Sequence, residues 1–417
     1  MHSLKNFSVL FVCCVRMLCC EGVNAAEIDL GPVKESHVMI PMRDGVKLSA
    51  YLYQPEGAGP WPVIMEQRYG GFTSDQTRKE MAELATAGYV VAGVNFRGTQ
   101  LSEGKFVGYR ALGWGEKQDG YDIVEWLAVQ PWSNGKIGTF GSSQAGFAQN
   151  FLAVTQPPHL VCQYMIDTGL SLYHEGYRIG GVTKPNRFKG MAGVCRVPEH
   201  NAELMKEWYQ HPTYDEYWQE EDCSRFFDKM NVPCFTVGSW YDFMCVGSVE
   251  SYIGRQHAGG PNSQGSQFLY IGPWLHGRFN KTNKFRDVDY PENANFDMLN
   301  HMITWFDYHL KGIQNEIAET PAVQYYVMGA FDEPDAPGNV WRSAEDWPIA
   351  AEPTEYYLKP EASAGSSVPR VVDASSSIKA DPFHPASIPG TSFPGAQDAR
   401  PFGGTGRSAH LYDRCLK

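Results

Sequence analysis

No C-x-x-C pair and no H-E-x-x-H run occurs in the 417 residues. The sequence therefore offers no pattern for a metal site, and neither a metal nor an organic cofactor is expected. Basic residues are scarce beside acidic ones: 35 Lys and Arg against 47 Asp and Glu, a formal net charge of -12. A nucleic-acid partner calls for a basic face, so this balance argues against one. Beyond the first 26 residues no apolar run is long enough to be expected to span a bilayer, and no internal repeat is visible. Cysteines are few and irregularly spaced. Four of the ten, Cys13, Cys14, Cys19 and Cys20, lie near the N-terminus. The others are Cys162, Cys195, Cys223, Cys234, Cys245 and Cys415. They permit disulfides in an exported chain but specify no pairing. Cys162 and Cys234 sit in apolar runs and are expected as buried free thiols.

Residues 1–26 read as an export signal: Lys5, an apolar stretch from Phe7 to Val15, and the small-residue pattern Val23-Asn24-Ala25. Arg16 and Glu21 depart from that pattern. The expected location is periplasmic or extracellular, or cytoplasmic if the segment is not a signal. The rest of the chain is too long for one compact core. From Pro62 short apolar strands alternate with helical patterns. Strands are expected at 62–65, 89–94, 136–140 and 160–166, and helices at 75–87, 119–129 and 144–154. This order predicts an α/β fold with a doubly wound, mostly parallel sheet. The pattern breaks over 167–230, an aromatic and polar stretch expected to form a helical cap over the carboxyl edge of the sheet, where ligands bind. It resumes with strands at 233–237 and 268–271 and a helix at 296–310. The units are thus 27–166 and 231–320 for the core, 167–230 for the cap, and 321–417 for a β-rich, jelly-roll-like module.

The sharpest local signal is Gly141-Ser142-Ser143-Gln144-Ala145-Gly146, between an expected strand and an expected helix. A nucleophile elbow needs a tight strand-to-helix turn with small residues two before and two after the serine. Gly141 and Ala145 meet that need around Ser143. An elbow serine needs a base, and the base needs an orienting carboxylate, in the chain order Ser, Asp, His for this fold. Asp242 follows the strand at 233–237, and His276 follows the strand at 268–271, so both can sit at strand ends beside Ser143. His276 would take the serine proton and return it to the leaving group, while Asp242 holds the imidazole. The backbone N–H of Gln144 is the first candidate donor to an oxyanion. The second comes from Arg68-Tyr69-Gly70-Gly71, through the Tyr69 hydroxyl or a backbone N–H. Trp114, Phe243 and Met244 are candidate pocket walls. The acidic run Glu220-Glu221-Asp222 in the cap is expected as a solvated face.

These segments together resemble the family of α/β-hydrolases that contains cocaine esterases, cephalosporin (glutaryl) acylases, α-amino acid ester hydrolases and X-Pro dipeptidyl-peptidases. The matching blocks include Met42-Arg43-Asp44-Gly45, Arg68-Tyr69-Gly70, Phe96-Arg97-Gly98-Thr99, Asp119-Gly120-Tyr121-Asp122, Trp240-Tyr241-Asp242, Gly272-Pro273-Trp274-Leu275-His276 and Trp305-Phe306-Asp307-Tyr308-His309-Leu310-Lys311-Gly312. The resemblance runs from about Val38 to Gly329. It implies the same triad, assigns the Tyr69 hydroxyl to the oxyanion, and implies a helical cap and a C-terminal jelly-roll.

Three departures shape the expectation. Gln144 stands where the family usually has Tyr. Phe243, Met244 and Cys245 follow Asp242, where α-amino acid ester hydrolases carry acidic residues that meet a substrate ammonium. The stretch after Thr320 is much shorter than the family's jelly-roll, as in a truncated member. The expected activity is hydrolysis of an ester or amide through an acyl-serine intermediate, with an apolar or aromatic acyl group. The expected partner is therefore a small-molecule substrate or a short peptide, and the oligomeric state is open. An X-Pro dipeptidyl-peptidase is the second enzymatic reading, and a non-catalytic relic is the alternative of another class.

Overall fold

The computed structural model describes residues 28–359 except 180, 184–190, 192, 278–279, 286–287, 331 and 334–336, together with 363–368 and 383. The expected signal segment, Cys415 and most of the expected β-rich module lie outside the described residues. The core is a ten-stranded sheet. Its strands are β1 (Val33–Pro41), β2 (Lys47–Pro55), β3 (Trp61–Arg68), β4 (Val90–Asn95), β5 (Ser133–Ser142), β6 (Leu160–Ile166), β7 (Cys234–Ser239), β8 (Gln267–Gly272), β9 (Val323–Val327) and β10 (Val340–Ala344). They lie in the order β1-β2-β4-β3-β5-β6-β7-β8-β9-β10. The strands from β4 to β9 in this order run parallel. Antiparallel β1, β2 and β10 close the two edges.

Parallel strands need a covering layer on both faces, and their sequences read accordingly. All six residues of β4, Val-Val-Ala-Gly-Val-Asn, are buried. Helices α1 (Asp75–Thr86), α2 (Asp119–Ala128), α3 (Gln144–Val154), α5 (Cys245–Ala258) and α6 (Met298–Phe306) make those layers, and α4 (Pro198–Gln210) lies between β6 and β7. α3 is buried from Ala145 through Val154. Its Gln149 and Asn150 are satisfied internally: Thr139 Oγ1 donates to Gln149 Oε1, and Asn150 Nδ2 donates to the Gly169 carbonyl. On β5, Gly138 lets α6 approach, because a Cβ there would lie 2.6 Å from the Phe306 ring.

β3 pairs with β4 on one side and β5 on the other, so the chain changes direction there. The crevice at the carboxyl ends of such strands is where ligands bind in open α/β sheets. The expected boundary at 321 is corrected by this topology. β9 pairs in parallel with β8, Leu269 opposite Val323, and β10 pairs with β9. The first two strands of the supposed module therefore extend the main sheet. A separate hairpin, Tyr357–Lys359 with Ser363–Gly365, follows.

The loop after β4 is held by a buried ion cluster. The guanidinium of Arg97 lies 2.7 Å from Asp119, whose side chain is fully buried, and 2.7 Å from Asp44. Burial raises the Asp119 carboxyl pKa, and Arg97 opposes that. Asp119→Ala leaves a buried guanidinium with one part-exposed partner. The expected result is a loss of about 3–5 kcal/mol in unfolding free energy, read from the urea midpoint by circular dichroism.

Candidate active site

Ser143 sits at the turn between β5 and α3 with φ 58° and ψ −114°. A non-glycine residue in such a conformation is strained and is held there by its surroundings. Its N–H donates to the Ile166 carbonyl on β6, and its own carbonyl accepts from Phe147 one turn into α3. Gly141 has φ +135°, and a Cβ there would come within 2.5 Å of the Ala145 Cβ. Small residues on both sides of Ser143 are thus a steric requirement of the turn.

Asp242 follows β7 and His276 follows β8, and these strands are neighbours in the sheet. His276 Nδ1 lies 3.0 Å from both oxygens of Asp242, whose side chain is buried. The two loops are tied by main-chain bonds: Trp240 N–H to the Gly272 carbonyl and Tyr241 N–H to the Trp274 carbonyl. The buried Trp274 ring is pinned by its indole N–H to the Ala294 carbonyl, at 2.6 Å. Met244 N–H donates to Asp242 Oδ1 at 3.2 Å, which helps to fix the carboxylate.

Gln144 has a use that the sequence did not reveal. Its side-chain carbonyl accepts from the N–H groups of both Tyr69 and Gly70, each at 3.0 Å. It holds the β3 loop against the elbow. The backbone N–H groups of Tyr69 and Gly70 are therefore engaged by this side chain. The Tyr69 ring packs edge-on against Phe96 and Phe106.

The three candidate pocket walls divide. The Phe243 ring lies 5.2 Å from the His276 ring, centroid to centroid. Met244 is fully buried in an apolar cluster with Phe147, Trp208 and Trp218, so it presents no surface to a ligand. Trp114 stacks on Phe151 and lines a cavity of about 460 Å³ with Val107, Arg110, Lys117 and Glu220. None of Ser143, Asp242 and His276 lines that cavity. The acidic run is corrected as well. Glu220 is exposed, but Glu221 and Asp222 are buried. Glu221 accepts the Tyr109 N–H, and Asp222 accepts from Ser224 and the Tyr214 hydroxyl, so these two acids bind their segment to its neighbours. Cys162, Cys195, Cys223, Cys234 and Cys245 are free thiols, and Cys162 and Cys234 are buried as expected.

Two charged residues near Asp242 and His276 carry no mark in the sequence reading. Asp167, at the end of β6, and Lys281 form an ion pair of 2.7 Å with both side chains fully buried. Asp167 lies directly after a strand, the same placement that singled out Asp242. Lys281 carries no local signal. One oxygen of Asp167, one of Asp242 and one ring nitrogen of His276 lie within 4.8 Å of one another, the one cluster of potential metal donors among the described residues. Lys281 already balances Asp167, and His276 already engages Asp242, so the trio is satisfied within the chain.

The profile of the X-Pro dipeptidyl-peptidase family (S15) matches residues 44–197 and 195–278, which include Ser143, Asp242 and His276. The cocaine esterase of Rhodococcus sp. (strain MB1 Bresler) is 26% identical over 384 residues, covering 80% of this chain and 63% of that protein. A CocE/NonD family hydrolase from Staphylococcus aureus has a similar structure, with a TM-score of 0.64 at 24% identity over 80% of this chain and 60% of that one. The structure of an α-amino acid ester hydrolase gives a TM-score of 0.70 at 20% identity, over 86% of this chain and 67% of that one. The chain thus spans about 63% of the length of the curated relative it matches.

Proposed function

The chain belongs to the X-Pro dipeptidyl-peptidase (S15) family, and from that membership we propose that it is a serine hydrolase that forms an acyl intermediate on Ser143. The observation that carries this reading is the approach of both Asp242 oxygens to His276 Nδ1, with a strained serine turn at the end of another strand of the same sheet. With the proton on Nδ1, Nε2 is the free base that takes the serine proton as Oγ attacks the carbonyl carbon. The imidazolium then protonates the leaving group, water attacks the acyl-enzyme, and the cycle reverses. The N–H of Gln144, first in α3, and the Tyr69 hydroxyl stabilise the oxyanion. The backbone N–H groups of Tyr69 and Gly70 already serve Gln144, which favours the hydroxyl as the second donor.

The substrate is an ester or amide with an apolar or aromatic acyl group. Phe243 faces His276, and the residues just after Asp242 offer no carboxylate to a substrate ammonium. An Xaa-Pro substrate presents a free amine, and Asp167, the nearby additional acid, is already neutralised by Lys281. Aryl esters are therefore expected to be cleaved faster than Xaa-Pro anilides. The test is labelling by a fluorophosphonate probe, with the Ser143→Ala variant as control. Labelling of the parent protein alone is expected. A folded parent protein that takes up no probe overturns the hydrolase reading.

A further inference from the structure

Resting on the hydrolase reading, we propose that Asp167 and Lys281 act as a charge-balanced positioning pair that grips the peptide on both sides of His276. The grip is visible atom by atom. Asp167 Oδ2 accepts the N–H of Gly277, the residue after His276, at 3.1 Å. Lys281 Nζ donates to the carbonyl of Leu275, the residue before His276, at 3.1 Å. The two partners meet each other at 2.7 Å, and both meet the Ser239 hydroxyl: Ser239 Oγ donates to Asp167 Oδ1 and accepts from Lys281 Nζ, each at 2.7 Å. Ser239 is the last residue of β7, so the loop bearing Asp242 is tied into the same network. The Asp167 N–H donates to the Val237 carbonyl, which anchors the pair to the sheet.

Charge balance explains why the acid needs the lysine. Asp167 is fully buried beside a second carboxylate, Asp242, and burial is the main influence raising its pKa. The Lys281 ammonium is the main opposing influence. The pair contributes no net charge, so the imidazolium formed during the reaction is met by Asp242 alone. His276 shares its cluster with Asp242 after β7 and Asp167 after β6; Lys281 on the short strand Asn280–Lys281 pairs with Asp167, and the part-buried Cys245 at the start of α5 feels both carboxylates. Removing the ammonium leaves Asp167 either as a second anion facing the imidazole or as a protonated acid with an altered bonding pattern. Either state moves the Leu275–Gly277 segment. Displacements of about 1 Å at a catalytic group cost on the order of a hundredfold in rate.

The test uses Lys281→Met, Asp167→Asn/Lys281→Met, and the parent protein, with aryl-ester hydrolysis followed across pH. Lys281→Met is expected to lower kcat by roughly 100-fold with KM changed less than about twofold, and to displace the acid limb of the kcat/KM profile. The double variant restores neutrality with side chains of similar size. It is expected to recover at least about tenfold of the lost kcat and to return the acid limb towards the parental pH. A role in fold stability alone moves neither the acid limb nor the double variant's kcat above the single's. Parental kinetics in Lys281→Met, or a double variant no better than the single, overturns the proposal. If Lys281→Met does not fold, the double variant decides: kcat within about tenfold of the parent is expected, and a folded double variant slower by more than about a hundredfold overturns the proposal. Failure of both variants to fold overturns it too, since the pair is then scaffold. A parent that neither labels with fluorophosphonate nor hydrolyses esters sinks the hydrolase reading itself. An active parent with an indifferent Lys281 sinks the pair alone.

Discussion

Ser143→Ala is expected to lower kcat for aryl-ester hydrolysis by roughly 10⁴- to 10⁶-fold while leaving the fold intact. The size follows from removal of the nucleophile, after which only binding and oxyanion stabilisation remain. Because serine and histidine act as a unit, Ser143→Ala/His276→Ala is expected to be no slower than Ser143→Ala alone. Measured kcat values for the two variants check this. A double variant slower by a further factor of ten or more would mean that His276 acts independently of Ser143. The backbone supplies a second readout. Ser143 holds φ 58° and ψ −114°, and alanine inherits that strain whereas glycine does not. Ser143→Gly is therefore expected to be inactive yet more stable than Ser143→Ala, by about 1 kcal/mol in the urea midpoint. This pairing of lost activity with gained stability is what a strained nucleophile elbow entails and an ordinary βα loop does not.

What could be read from the sequence was local. The elbow depends on residues within a few positions of Ser143, and the strands and helices around it carry their own periodicity. α3 and β6 begin and end at the expected residues, 144–154 and 160–166. Asp242 and His276 are singled out by chain order and strand position, because a parallel sheet brings the ends of successive strands together, and their side chains lie 3.0 Å apart. The partners that were missed are those that only tertiary topology brings together. Asp167 and Lys281 are 114 residues apart, and nothing around Lys281 marks it as buried. Glu221 and Asp222 look like a solvated run because a stretch of acids carries no sign of what will be folded over it. Glu221 is buried against the loop that contains Tyr109, whose N–H it accepts. β9 reads as part of a separate module because the Pro- and Gly-rich stretch after it looks like a change of architecture. Only Val323 and Tyr326 of its five residues are buried, and its pairing with β8 is set by the sheet.

Asp242→Asn is expected to cost about 10⁴-fold in kcat with little effect on KM. The carboxylate oxygens both lie 3.0 Å from His276 Nδ1, so they accept its proton and leave Nε2 unprotonated towards the serine. An asparagine amide offers an N–H on one side. Turned towards Nδ1, it favours the tautomer with the proton on Nε2, which cannot accept from Ser143. The Met244 N–H still finds an oxygen on the asparagine, so the loop keeps its shape and the loss reads on catalysis alone. Asp167 does not substitute for the missing carboxylate. Its oxygens are already committed to the Ser239 hydroxyl, the Gly277 N–H and Lys281, and its charge is cancelled. Steady-state kinetics of Asp242→Asn, with thermal unfolding as the check on folding, test both halves of this argument. A loss of less than about tenfold would mean that another group orients His276, and Asp167 would be the residue to change next. A full loss, unaltered by Asp167→Asn on top of it, is the outcome expected of a site in which one carboxylate orients the base and the other, neutralised by its lysine, holds the backbone that carries it.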